Sequence, residues 1–90
     1  MGTALAIIKI MPKSPDVDLN ALQEKVKQVT VEHKGEKPIT KTEPVAFGLN
    51  AIILNFSIDE SNEMDPLENA LRGIDQVNSA EVTDFRRAFG

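Results

Sequence analysis

Apolar positions along this chain fall into runs whose period changes from segment to segment. Residues 4–11 are apolar apart from Lys9, and Ile7, Ile8 and Ile10 are β-branched, so the segment reads as a buried strand. "PKSPDVD" follows as a turn, with Asp16 or Asp18 placed to cap a helix. Leu19, Leu22, Val26 and Val29 then recur on one helical face, with Gln23, Glu24, Lys25 and Lys27 mostly off it, which predicts a helix over 19–31. Gly35 and Pro38 in "HKGEKP" end it. Residues 39–47 read as a polar extended strand that Pro44 confines to a sheet edge or a bulge. Gly48 marks a tight turn or bulge. Residues 49–58 give the clearest alternation, with Ile52, Leu54, Phe56 and Ile58 on one face and Asn55 and Ser57 on the other.

A second helix opens at "DPLE", where Asp65 is the expected N-cap, Pro66 the first helical residue and Glu68 the third residue of a capping box. Its apolar stripe is Leu67, Ala70, Leu71 and Ile74, and Gly73 weakens its end. Residues 77–89 form the last extended segment. Ala80 and Val82 are inward but out of phase with Phe85, Arg87 and Phe89, which predicts a bulge or bend near Asp84. The order β-α-β-β-α-β predicts an α+β fold, a ferredoxin-like sandwich with a four-stranded antiparallel sheet and both helices on one face. Residues 1–90 read as a single domain without linker or repeat.

Composition narrows the chemistry. The chain is 41% hydrophobic and 27% charged, the balance of a soluble globular domain. It has no cysteine, which removes disulfides, thiolate metal sites and a Cys nucleophile. The apolar opening run is too short to span a membrane and lacks the marks of a signal peptide. A net charge of −4 argues against binding a phosphate backbone and suits a basic partner. The single His33 lies in a polar helix-end loop and reads as solvated. No phosphate-binding glycine loop is present. The acidic run Asp59, Glu60, Glu63 and Asp65 lacks the glycine and the closing glutamate of a calcium loop. "VAFGLNAI" matches an RNA-recognition strand poorly, because Leu49 and Ala51 stand where stacking rings are needed. An acylphosphatase-like enzyme needs an anion loop after the first strand, and Met11-Pro12-Lys13-Ser14 offers no arginine. No cofactor or metal is expected.

Two features remain, Phe47-Gly48 and the terminal "DFRRAF". From pattern alone Phe47 reads as a half-buried rim aromatic, and "DFRRAF" as an amphipathic edge strand with Phe85 and Phe89 packed and the arginines solvated. Set in order, the pieces "AIIKIMP", Pro44-Val45-Ala46-Phe47-Gly48-Leu49, "FSIDES", "DPLENAL" and Val82…Phe85…Arg87 resemble the elongation factor 1-beta family in its short, archaeal-type form. The resemblance covers essentially the whole chain.

It implies a ferredoxin-like guanine-nucleotide exchange domain that promotes replacement of GDP by GTP on elongation factor 1-alpha, with no covalent chemistry of its own. It further implies a cytoplasmic translation factor, a monomer when free, that touches neither nucleic acid nor membrane directly. Carried over residue by residue, Phe47 is the aromatic anchor, with Gly48, Val45 and Phe85 beside the partner. Arg87 is the cation that reaches towards the magnesium site, and Arg86 is its possible substitute. Asn50-Ala51 replace a lysine pair of the eukaryotic branch, so contacts made by those lysines do not carry over. The other use of this fold open to the chain is a small-molecule-binding or oligomerising domain without exchange activity.

Overall fold

In the computed structural model, which describes residues 2–88, the elements are β1 (Thr3–Pro12), α1 (Leu19–Glu32), β2 (Glu36–Pro44), β3 (Asn50–Asp59), α2 (Asp65–Arg72) and β4 (Val77–Ala88). The strands form one antiparallel sheet in the order β2-β3-β1-β4. Alternation along β1 buries Ala4, Ala6, Ile8 and Ile10 and turns Leu5, Ile7, Lys9 and Met11 to the other face. The buried set joins Ile52, Leu54, Phe56 and Ile58 of β3 with Leu22, Val26 and Val29 of α1 and Leu67 and Leu71 of α2. Both helices therefore cover the same face, as a ferredoxin-like sandwich requires. Ala6 stands between Phe56 on one side and Phe85 on the other, and its small side chain leaves room for the two rings.

Helix α1 begins where expected. The Asp18 carboxylate accepts from the Ala21 amide at 3.2 Å, so Asp18 rather than Asp16 is the cap. At the other end His33 is only half-exposed, and its Nδ1 lies 3.0 Å from the Val29 carbonyl oxygen. The histidine is a helix-end cap instead of a solvated loop residue. Buried Thr30 donates its hydroxyl to the Val26 carbonyl at 2.8 Å, which satisfies the polar group inside the core.

The second helix corrects the sequence reading. Asp65 is its first helical residue, Met64 holds the cap position with helical dihedrals, and no side chain caps the start. Glu68, expected to close a capping box, points instead to Arg72 one turn on, at 3.2 Å. Asp65 still sits where a negative charge favours the helix dipole.

Strand β2 starts earlier and ends earlier than its composition suggests. Glu36 already pairs with Ser57, and a register shift before Ile39 is absorbed by Lys37 at φ 54°. The strand stops at Pro44, short of Phe47. β4 carries the expected irregularity. Ile8 pairs with Val82 but Ile7 with Asp84, so Thr83 is the extra residue, and its hydroxyl donates to the Ile7 carbonyl at 3.3 Å. Its expected end at Phe89 lies outside the described residues.

Gly35, after α1, is buried for want of space. A Cβ there would run into the Thr30 methyl, with the Thr30 carbonyl oxygen at 3.0 Å and the Phe56 ring at 3.1 Å. Gly73 ends α2 at φ −77°, and a Cβ there would meet only ordinary contacts at 3.5 Å. Gly35→Ala is expected to lower stability by about 1–3 kcal/mol. Gly73→Ala is expected to raise it by roughly 0.4–1 kcal/mol, by restricting the unfolded chain. Urea denaturation of the two variants checks both signs.

Candidate functional site

The β2–β3 connection is built around Phe47. The Val45 amide donates to the Leu49 carbonyl at 2.8 Å, closing the base of a single 3-10 turn over Ala46–Gly48. Inside it Phe47 has φ 64° and ψ 27°, and Gly48 follows at φ 76°. Two consecutive left-handed residues reverse the chain sharply. Glycine takes that conformation freely, whereas a phenylalanine strains the backbone by about 1–2 kcal/mol. A Cβ on Gly48 would meet nothing within 4 Å, so its glycine is set by the dihedral and not by space.

The ring gains nothing within the domain to offset that strain. Phe47 is 94% exposed, against the half-buried position that pattern alone suggests. Val45 beside it is half-buried. A large aromatic held in water on strained backbone is the reverse of what folding selects, and such strain collects at binding sites.

The basic end is built differently. Ala4 of the central strand pairs with Ile58 on one side and Arg87 on the other. Arg87 therefore points to the helix-covered face, as does Phe85, which is 44% exposed. Arg86 lies opposite Leu5 on the open face and pairs with Asp84 at 2.9 Å. The two arginines thus occupy opposite faces of the sheet and cannot stand in for each other without rearrangement. Arg87 Nε lies 2.8 Å from Glu60 Oε2, just past the end of β3.

Glu60 was not singled out from sequence as a partner of Arg87, because the two meet only through the sheet register. The turn that carries it is tightly tied. Asp59 accepts from both the Ser61 amide and its hydroxyl, at 2.9 and 2.7 Å, and these bonds hold the Asp59 carboxyl below its ordinary value.

The structure brings Phe85, Arg86 and Arg87 to one end of the sheet and Val45, Phe47 and Gly48 to the other. Arg87 is level with Ile58, and the turn bearing Phe47 lies beyond Asn50 at the far end of β3. At about 3.3 Å per residue Arg87 is at least ~26 Å from the turn, and Phe85, level with Phe56, at least ~20 Å. The domain's long axis is 41 Å. At the basic end, on the open face, lies a shallow groove of about 540 Å³ floored by Leu5, Ile7 and Ile39 and flanked by Lys37 and Arg86. No helix among the described residues is long and apolar enough to cross a membrane.

An exposed aromatic on a strained turn and an exposed arginine thus stand at the two ends of one sheet. Comparison with known proteins shows the family. The family model described as the EF-1 guanine nucleotide exchange domain matches residues 5–88. Over 97% of its length the chain is 39% identical to a protein named elongation factor 1-beta from Methanosphaera stadtmanae, of which 98% is covered. Identity is 42% to the protein of that name from Methanothermobacter thermautotrophicus, over 97% of this chain and 98% of that one. It is 42% again to that from Methanocaldococcus jannaschii, over 98% of this chain and the whole of the other. The chain belongs to the EF-1 guanine nucleotide exchange domain family. It is a nucleotide exchange factor of translation elongation, and a small-molecule-binding role without exchange is not favoured.

The strain at Phe47 is testable without any partner. Phe47→Ala is expected to change stability by less than about 0.5 kcal/mol, because the ring touches little. Phe47→Gly is expected to leave the domain as stable or up to about 1 kcal/mol more stable, since glycine relieves the left-handed strain. Thermal or urea unfolding decides it, and a large loss in either variant would make Phe47 a folding residue.

Proposed function

We propose that this factor acts on elongation factor 1-alpha, with Phe47 as the anchor and Arg87 as the cation that disturbs the magnesium site. The observation that carries this reading is the nearly full exposure of Phe47 on a strained backbone. An aromatic ring buried only in a complex contributes most to affinity when it is rigid beforehand, and the closed turn supplies that rigidity. Gly48 gives the turn its reversal, and Val45 and Phe85 add apolar surface at the two contact ends.

Magnesium, the β-phosphate and the switch loops of a GTPase hold one another in place. A guanidinium brought close to the metal opposes it electrostatically and loosens the nucleotide. No bond to the nucleotide is made or broken, so the factor needs no nucleophile, metal or cofactor of its own. The flat head of Arg87 demands a slot-shaped approach rather than the narrow one an ammonium would use. Linkage requires that bound GDP weaken factor binding by the same ratio as the factor weakens GDP.

The separation of the two ends gives this reading a geometric consequence. A rigid domain that uses both must lie along a GTPase surface more than ~26 Å long, touching it near the nucleotide and again well away from it. The free factor is a cytoplasmic monomer, and it contacts neither nucleic acid nor membrane directly.

Release of a fluorescent GDP analogue from elongation factor 1-alpha tests the activity, and no acceleration by stoichiometric folded factor would sink it. Phe47→Ala is expected to raise the half-saturating factor concentration at least about tenfold with the maximal rate largely kept. Arg87→Ala is expected to lower the maximal rate at least about tenfold with a smaller change in half-saturation. An unchanged maximal rate in Arg87→Ala would leave a steric mechanism.

A further inference from the structure

We propose that Glu60 is a positioning residue for exchange, holding the Arg87 guanidinium by its Nε side so that the terminal nitrogens face outward. This rests on the reading of Arg87 given above. The Glu60 side chain is only 27% exposed, while that of Arg87 is 79% exposed. Glu60 Oε2 is shut off from solvent and makes no aligned hydrogen bond, although Arg87 Nε stands 2.8 Å away. The contact is therefore held by charge. The Arg87 charge compensates the shielded carboxylate oxygen, so one partner of the pair is held in the turn while the other reaches into solvent.

Three features place the carboxylate there. The turn is pinned by the Asp59–Ser61 bonds and by the Asn62 amide donating to the Asp59 carbonyl at 2.9 Å. The Glu60 amide donates to the Gly2 carbonyl at 3.0 Å, which ties the turn to the start of the chain. Gly2 also leaves the space the carboxylate fills, since a Cβ on residue 2 would lie 2.9 Å from Glu60 Cδ and 3.0 Å from Oε2. Ala4, lying between β3 and β4, is small enough for the pair to meet across it.

The mode of contact separates positioning from restraint. The contact between Arg87 and Glu60 is made at Nε, the inner nitrogen of the guanidinium, and the Arg87 side chain is 79% exposed. Contact from that side leaves the terminal nitrogens available for a second anion or for the metal's surroundings while the pair persists. A latch that kept Arg87 inactive would occupy those nitrogens. With the Arg87 side chain so exposed the pair is too weak to act as a lock, yet it is enough to narrow the rotamers of a long side chain.

Exchange kinetics with Glu60→Gln, Gly2→Ala, Arg87→Ala and the double variant Glu60→Gln/Arg87→Ala test the proposal. Glu60→Gln keeps the shape and removes the charge. Gly2→Ala keeps the charge and pushes the carboxylate aside. Each is expected to lower the maximal rate roughly two- to fivefold, with half-saturation and thermal midpoint little changed. In the Arg87→Ala background Glu60→Gln is expected to have no further effect. A maximal rate unchanged or raised in both single variants overturns the proposal, as does a loss that adds fully to that of Arg87→Ala. If Arg87→Ala itself leaves the rate intact, the reading of Arg87 fails first and takes this one with it. If Arg87→Ala is slow but Glu60→Gln and Gly2→Ala are not, only the positioning role is lost.

Discussion

Strand β1 is hydrogen-bonded on both sides by antiparallel ladders, and its alternating burial fixes where every other element can lie. A one-residue slip against either neighbour would turn Ile8 and Ile10 to water and Lys9 into the core. The register is accordingly fixed, and with it the position of each functional side chain. Ile58, Ala4 and Arg87 form one row across the sheet, which lets Glu60, just past the end of β3, meet Arg87. At the other end Pro44 and Asn50 close the β2–β3 ladder and hold the base of the turn that carries Phe47. The one irregularity in the β1–β4 ladder near the basic end, Thr83, resets the phase so that Phe85 and Arg87 share the helix-covered face while Arg86 does not.

Stability and function are thereby kept apart. The residues that bury surface on folding lie between sheet and helices, and the groups proposed to meet the partner lie on the turn beyond the β2–β3 ladder and in the last rows of the β1–β4 ladder. Phe47 marks the separation most plainly, because its ring is in water and its backbone is strained. The domain tolerates about 1–2 kcal/mol of strain there because the core, not the turn, supplies its stability. Conversely, substitutions at the rim leave the buried core between sheet and helices untouched.

Most of the fold was legible in the sequence, for identifiable reasons. β1, α1 and β3 follow from unbroken periodicity, and the phase change in β4 announced its bulge. The β2 boundaries were not legible, because a positive φ at Lys37 let the strand begin before Pro38, and one at Phe47 belongs to a turn beyond the strand's end. The capping box at Asp65 failed because the helix starts one residue earlier, with Met64 at the cap position and Asp65 already helical, and the Glu68 carboxylate meets Arg72 one turn on. For the site, the residue types were legible and the geometry was not. Exposure of Phe47 depends on what the rest of the chain fails to cover. The opposed faces of Arg86 and Arg87 depend on a bulge whose position must be known to one residue. The Glu60–Arg87 pair joins residues far apart in sequence, and only the strand order β3-β1-β4 with alanine in the middle brings them together.

The central claim is that one rigid domain engages the GTPase at both ends at once. Photo-crosslinking tests it most directly, with a photoreactive phenylalanine analogue placed at position 47 in one preparation and at position 87 in another, each in a stoichiometric nucleotide-free complex with elongation factor 1-alpha. The account predicts efficient crosslinks from both positions, to two separate regions of the GTPase, with that from position 87 close to the nucleotide site. Crosslinks from only one position, or from both to the same short segment, would contradict it.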